Sequence, residues 1–385
     1  MEERVSPSSV GESSVLFEQR RAVGEHRIGI ATLNAPHVLN GLSLEMTRLL
    51  DVQLRRWQND ATVVCVVLQG AGEKAFCAGG DLHGLYRSML AFRAGDAQNI
   101  DDNRQAAAFF EEEYRLDYCI HRYAKPILCW GDGIVMGGGI GLMAGASHRV
   151  VTERSRLAFP EISIGLFPDV GGSWLLRRVP RQAGIFLGLT GAPLGASDAI
   201  YAGLADVCVA SPRRAEVLDA LCAHAWTADA EIDRKALSYL LAGFTCDPLA
   251  GPLQRHAGLL ERVGMQATLE AAVADIDALD DDEPWLQAAR ATLRAGSPGS
   301  ARLAWELQLS EHTRTLADTF RTEYTVALHC AAHGDFAEGI RALLVDKDRH
   351  PHWNPSLLAR ADAAWAQRFF ETSWPARRHP LADLE

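Results

Sequence analysis

No stretch of this 385-residue chain approaches the ~20 consecutive apolar residues that a membrane-spanning helix requires. Even the apolar segment GIVMGGGIGLMAGA is full of glycine and runs on to His148 and Arg149. Basic charge is scarce too: 38 Lys and Arg stand against 49 Asp and Glu, for a formal net charge of −11. That balance argues against a nucleic-acid partner, which is held by cationic side chains set against phosphate. The eight cysteines are scattered without a single CxxC, so they imply neither a disulfide framework nor a zinc site and read as reduced thiols. The amino terminus, MEERVSPSSVGESS, has acids where an export or transit signal needs a basic start and an acid-poor body, so a cytoplasmic, bacterial-type location is expected.

Several catalytic signatures are missing as well. There is no GxxxxGK[ST] to cradle a nucleoside triphosphate and no HExxH, and the thirteen histidines are dispersed. His83 and His121 are read as surface or packing residues. The GxSxG elbow is absent, because Ser163 has Glu161 where the first glycine belongs and Ser173 lacks the closing glycine. Gly139-Ile-Gly-Leu-Met-Ala144 matches a dinucleotide fingerprint in letters only. Residues 131–136 intervene after the preceding strand pattern, whereas phosphate binding needs the fingerprint directly at the strand's end.

Hydrophobic residues make up 48% and charged residues 23% of the chain, as in packed globular proteins. Residues 28–33 (IGIATL) and 63–68 (VVCVVL) are short β-branched runs that predict buried strands. Between them, 43–57 carries Met46, Leu49, Leu50, Leu54 and Trp57 at helical spacing, with Ser43 as N-cap. The pattern returns at 126–130 and 148–152, which predicts repeated β/α units with a largely parallel sheet. After about residue 210 the strand signal fades. In 301–333, for example, Leu303, Leu307, Leu316, Phe320, Ala327 and Leu328 share a helical face. Three parts are expected: a flexible polar tail at 1–15, an α/β core at 16–210 and a mainly helical region at 211–385.

Three glycine-bearing segments fall in the core: Phe76-Cys-Ala-Gly-Gly-Asp81, residues 131–141 and 165–172. Glycine permits close backbone approach, and a helix opened by glycines presents free N–H groups to an anion. Tight turns and helix packing are the plainer explanation for any one of them. In the last segment, Glu161 and Asp169 lie among apolar and turn residues. Burial there raises a carboxyl's pKa toward the range useful for acid–base work. Helix capping or pairing with Arg177 or Arg178 would account for the same residues.

The order of these segments closely resembles the enoyl-CoA hydratase/isomerase (crotonase) superfamily. The resemblance is carried by Leu33-Asn-Ala-Pro-His-Val-Leu-Asn-Gly-Leu42, Lys74-Ala-Phe-Cys-Ala-Gly-Gly-Asp81, residues 131–141, Pro160-Glu161 through Gly172, and Asp335-Phe-Ala-Glu-Gly-Ile-Arg-Ala342, and it runs from about residue 16 to 355. It implies a spiral of ββα units in the core, followed by helices, that binds an acyl-CoA. It implies further that the N–H groups of Gly80 and Gly138 hold the thioester carbonyl oxygen. Gly137, Ala35–Leu39, Ala78, Asp81 and Leu82 would border the coenzyme, and Lys74 would meet phosphate.

Hydratases of this superfamily use two glutamates. This chain has Glu161 at the second position and Gly141 at the first, while Asp169 stands where hydratases have glycine. In these features, and in Glu112-Glu113-Tyr114, Leu344-Val-Asp-Lys-Asp348 and Pro351-His-Trp-Asn-Pro355, the chain resembles the 3-hydroxyisobutyryl-CoA hydrolase subfamily. The implied reaction is hydrolysis of a short 3-hydroxyacyl-CoA, as in valine breakdown. Glu161 would be base or nucleophile, Asp169 would orient water or the substrate hydroxyl, and Glu113 would bind substrate. No metal or redox cofactor is required. The competing expectations are hydration or isomerisation of an enoyl-CoA on the same scaffold, and a non-catalytic acyl-CoA-binding protein. A homo-oligomer is left open.

Overall fold

The computed structural model describes residues 13–95, 99–279, 282–310, 314–372, 374–375 and 378–385. Of the expected tail, residues 1–12 lie outside these, and the first strand already begins at Val15, which is buried.

Among the described residues, nine strands form two sheets. β1 (Val15–Arg21), β2 (Arg27–Leu33), β3 (Val63–Gly70), β5 (Ile127–Gly131), β7 (His148–Val151) and β9 (Val207–Cys208) lie in that order in the larger sheet, with β1 antiparallel and the remainder parallel. β4 (Ala75–Cys77), β6 (Ile134–Met136) and β8 (Arg156–Ala158) form a smaller parallel sheet. Each turn of the chain therefore lays one strand in the large sheet and the next in the small one: β3 then β4, β5 then β6, β7 then β8. This is the expected spiral. Its central strands β3 and β5 are mostly apolar because both faces are covered, as parallel sheets require; the first six residues of β3 are all buried.

α1 (Leu44–Asn59) forms where the spacing predicts it, and the Ser43 hydroxyl accepts from the Met46 N–H at 3.1 Å. Leu50, Leu54 and Trp57 turn into the core. Trp57 lies so close under β2 that a side chain at Gly29 would stand 2.8 Å from its ring. α2 (Leu82–Arg93) and α3 (Arg104–His121) follow β4, and α4 (Gly138–Ala144) follows β6. The fingerprint-like Gly139–Ala144 is thus the body of α4, and β6 fills the gap after β5, so no dinucleotide turn is formed.

Strands end at Cys208 among the described residues. The segment 301–333 is two helices rather than one, Pro298–Ser310 and Leu316–His333, the second opened by a Thr315–Asp318 capping box. Both still bury the predicted face, with Leu303, Leu307, Phe320, Ala327 and Leu328 each 2% exposed or less. All three hydrophobic clusters contain residues from both sides of position 210. Cys208 and Cys246 bring their Sγ atoms to 3.2 Å as free thiols. Among the described residues no helix is long and apolar enough to cross a membrane.

Candidate active site

Three neighbouring strand ends build the site. β4, β6 and β8 are parallel, so the residues after each strand arrive at the same end of the small sheet: Ala78–Asp81, Gly137–Gly138, and Phe159 to Glu161. All but Phe159 line one cavity of about 640 Å³, which is also bordered by Ala35, Leu39, Leu82, Glu113 and Asp169, and on the far side by Phe336, Leu343 and Leu344.

Gly80 and Gly138 both line this space, and each keeps its N–H out of its own element's hydrogen bonds for a different reason. Gly80 is bridged to Leu42 through its neighbours, with Leu42 N–H donating to Gly79 O at 2.7 Å and Asp81 N–H to Leu42 O at 2.9 Å. In such a parallel pairing the middle residue's own N–H points the other way. Gly138 opens α4, so its N–H is one of those that lack an intrahelical acceptor. A side chain at 138 would run into Glu113 Oε1, so the close approach of α3 and α4 demands glycine there. Two fixed donors at one cavity wall can stabilise an oxyanion.

Four acids lie at or just behind this wall. Glu161, 3% exposed, opens the short turn Glu161–Ile164 after β8, and its Oε1 lies toward Gly137, where an added Cβ would be 3.2 Å away. Its Oε2 is buried and accepts no hydrogen bond from the described residues. Asp169 accepts a hydrogen bond from the Tyr114 hydroxyl at 2.8 Å. Glu113 and Asp117 lie one turn apart on the inner face of α3, both buried. Their neighbour Glu112 points outward and forms a bidentate pair with Arg48 at 2.7 Å.

Burial dominates the electrostatics. It pushes Glu161 well above the usual carboxylate range, and the neighbouring Asp169 charge adds to this. Glu113 is raised in the same way and for the same two reasons. Asp169 is pushed up by burial to about 6, a rise that the Tyr114 hydrogen bond holds in check. Asp169 is therefore ionised near neutrality, beside carboxyls that burial holds toward their protonated form.

Other expected site residues fall differently. Asp81 is exposed at the cavity mouth and caps α2 by accepting from Gly84 N–H at 3.2 Å. Lys74 is exposed and lines a separate groove that adjoins the cavity at Leu39. His83 lies on the cavity rim, and His121 packs edge-on against Trp174. Arg178 lies over the Trp174 ring, 3.6 Å from its centroid.

Three further residues take part without a role that the sequence pattern assigns. Tyr114 was legible only as part of a motif. Asp117 fills the space beside Gly141: a Cβ there would stand 2.9 Å from both Asp117 Cγ and Val170 Cβ. Glu323 reaches the Asp169 loop from helix Leu316–His333, accepting from Gly171 N–H at 2.7 Å and Ser173 N–H at 3.0 Å. The signal for the last two was an acid on the apolar face of a helix.

Comparison with known proteins agrees with this geometry. The family model described as enoyl-CoA hydratase/isomerase matches residues 28–370. The 3-hydroxyisobutyryl-CoA hydrolase, mitochondrial, of Danio rerio is 35% identical over 95% of this chain and 91% of its own length. The human protein of that name is 32% identical over 92% and 88%. Among solved structures, a carnitinyl-CoA dehydratase from Mycobacterium thermoresistibile superposes with a TM-score of 0.81 at 34% identity, covering 94% of this chain and 98% of its own. An enoyl-CoA hydratase from Rhodobacter sphaeroides gives 0.80 at 33% identity over the same shares. The relatives correct one expectation: the hydrolases are named as mitochondrial, which overturns the cytoplasmic location expected from the polar start. Targeting segments lie outside the folded catalytic part, so the composition of the first residues is a poor guide to compartment.

Proposed function

Because this chain belongs to the enoyl-CoA hydratase/isomerase family, we propose that it hydrolyses 3-hydroxyisobutyryl-CoA to 3-hydroxyisobutyrate and coenzyme A. The observation that carries this reading over hydration is position 141. Syn-addition of water to an enoyl thioester calls for two carboxylates on the water. Here one of those places is glycine, and the room a side chain would need is filled by Asp117 and Val170.

Hydrolysis needs a different set, and the residues lining the cavity support that reading. The thioester carbonyl oxygen sits between the Gly80 and Gly138 N–H groups, which stabilise the negative charge as it develops. Glu161 drives attack on the carbonyl carbon, as general base on water or as nucleophile through a mixed anhydride; its unbonded, desolvated Oε2 suits either role. A water supplies hydroxide to the acyl carbon, the C–S bond breaks, and its proton ends on the CoA thiolate. Asp169, held by Tyr114, orients the water or the substrate hydroxyl, and Glu113 binds that hydroxyl. No electrons change hands, so the chemistry requires no redox group. Coenzyme A is part of the substrate.

The test is thiol release from 3-hydroxyisobutyryl-CoA beside loss of enoyl absorbance from crotonyl-CoA, using purified full-length chain. Rapid thiol release with negligible hydration is expected. Hydration as the faster reaction would refute the assignment, and tight binding of both thioesters without turnover would mean a binding protein.

A further inference from the structure

We propose that Glu323, in the helical half of the chain, is the positioning residue that sets Asp169 in the site; the inference rests on the hydrolytic reading above. Asp169 belongs to a segment whose backbone is not at rest. Val170 has φ of 54°, a left-handed conformation that β-branched residues avoid, and Gly171 follows at 79°. Such a turn persists only where its surroundings hold it. Glu323, fully buried, supplies the hold: its Oε2 accepts from Gly171 N–H at 2.7 Å, and its Oε1 from Ser173 N–H at 3.0 Å and Ser173 Oγ–H at 2.5 Å.

The same helix approaches Asp169 from a second side. Phe320, one turn before Glu323, packs on the ring of Tyr114 with centroids 5.4 Å apart, and the Tyr114 hydroxyl donates to Asp169. One element thus grips both the loop that carries Asp169 and its hydrogen-bond donor. Without the Glu323 carboxylate, two backbone N–H groups are left buried without that acceptor, and Val170 is free to relax to negative φ, which turns the Asp169 peptide out of line. Glu323 also adds negative potential that raises Glu161, an effect packing alone would not have.

The experiment compares Glu323→Gln and Ser173→Ala with the unaltered chain in CoA release, recording kcat, KM and the pH profile, with folding followed by circular dichroism. In Glu323→Gln one amide N–H group must face the donors it replaces an acceptor for. A fall in kcat of about 10²-fold is expected, the cost of a ~1 Å misplacement, with KM changed by less than about threefold. The acid limb should move to lower pH, because the charge that raises Glu161 is gone. Ser173→Ala removes one of three bonds, so kcat should fall by a factor of about five, and this variant decides the matter if Glu323→Gln does not fold. A folded Glu323→Gln with unaltered kcat and acid limb overturns the proposal, as does a Ser173→Ala that loses nothing. Should Glu161→Gln retain full CoA release, the hydrolytic reading itself fails, whatever Glu323 does.

Discussion

Up to Cys208 the chain alternates strands and helices, and this half carries Gly80, Glu113, Gly138, Glu161 and Asp169. Beyond it the described residues form helices and turns, whose contribution to the cavity wall is apolar: Phe336, Leu343 and Leu344. The two halves nevertheless meet at the working acids. The Ser297 N–H donates to Ile162 O at 3.0 Å, and helix Phe336–Ile340 lies against the turn that Glu161 opens, where Gly339 and Gly165 leave no room for side chains. Glu323 holds the turn that follows Asp169. The difference teaches a division of labour. A parallel sheet brings strand ends together at one edge without deciding how the turns beyond them are wound, and the helical half winds them.

That comparison can be broken by experiment. If it is right, Glu161→Gln lowers kcat by about 10³-fold in the thiol-release assay, within the range of general base catalysis, and does not lower thermal stability. Leu260→Ala, in the helical half and outside the cavity lining, should do the reverse. Removing a fully buried leucine side chain costs ~2–5 kcal/mol of stability, read as a large drop in melting temperature, while the folded fraction keeps most of its kcat. Equal losses of kcat in the two variants would erase the distinction.

Asp169→Asn separates function from stability within the strand-bearing half. A carboxyl whose pKa rises from 3.8 unfolded to about 6 folded favours the fold while protonated. That stability is full below pH 3.8 and is lost as pH rises through about 6, leaving a cost of ~3 kcal/mol at neutrality. Asparagine cannot ionise. The variant should therefore melt at a higher temperature at neutral pH, with no difference at low pH, while CoA release falls by about 10²-fold. A lower melting temperature at neutrality would contradict this.

Tyr114→Phe sharpens the picture further. Loss of the hydrogen bond that restrains Asp169 should carry its pKa above about 6, by about one unit, the worth of one bond to a charged group, and this should be read as an upward move of the pH at which melting temperature changes. The smallest effect belongs to Arg48→Ala. It frees Glu112 at the surface, where solvent screens the pair, so melting temperature and kcat should both be unaltered although Glu112 is adjacent to Glu113.

Much of the site was legible because motif order carries it. Gly80, Gly138 and Glu161 follow three successive strands of one sheet, so their convergence is a consequence of the repeat. Asp169 and Glu113 were legible through the resemblance, but Glu112 and Glu113 are told apart only by which of them faces α4. Lys74, expected at phosphate, is exposed in the groove that adjoins the cavity at Leu39, a placement set by how neighbouring loops pack rather than by local spacing. The single helical face assigned to 301–333 is shared by two helices, because a period in sequence does not mark where a helix is broken.

By itself the sequence determined the alternation of strand and helix and the buried strands, since these depend on local spacing, and its family resemblance singled out the candidate acids. Only the tertiary structure decided that Asp117 closes the space at Gly141, that Tyr114 restrains Asp169 and that Glu323 reaches its loop across some 150 residues of chain. Those contacts join positions far apart in sequence, and packing, rather than any local pattern, sets which buried groups meet.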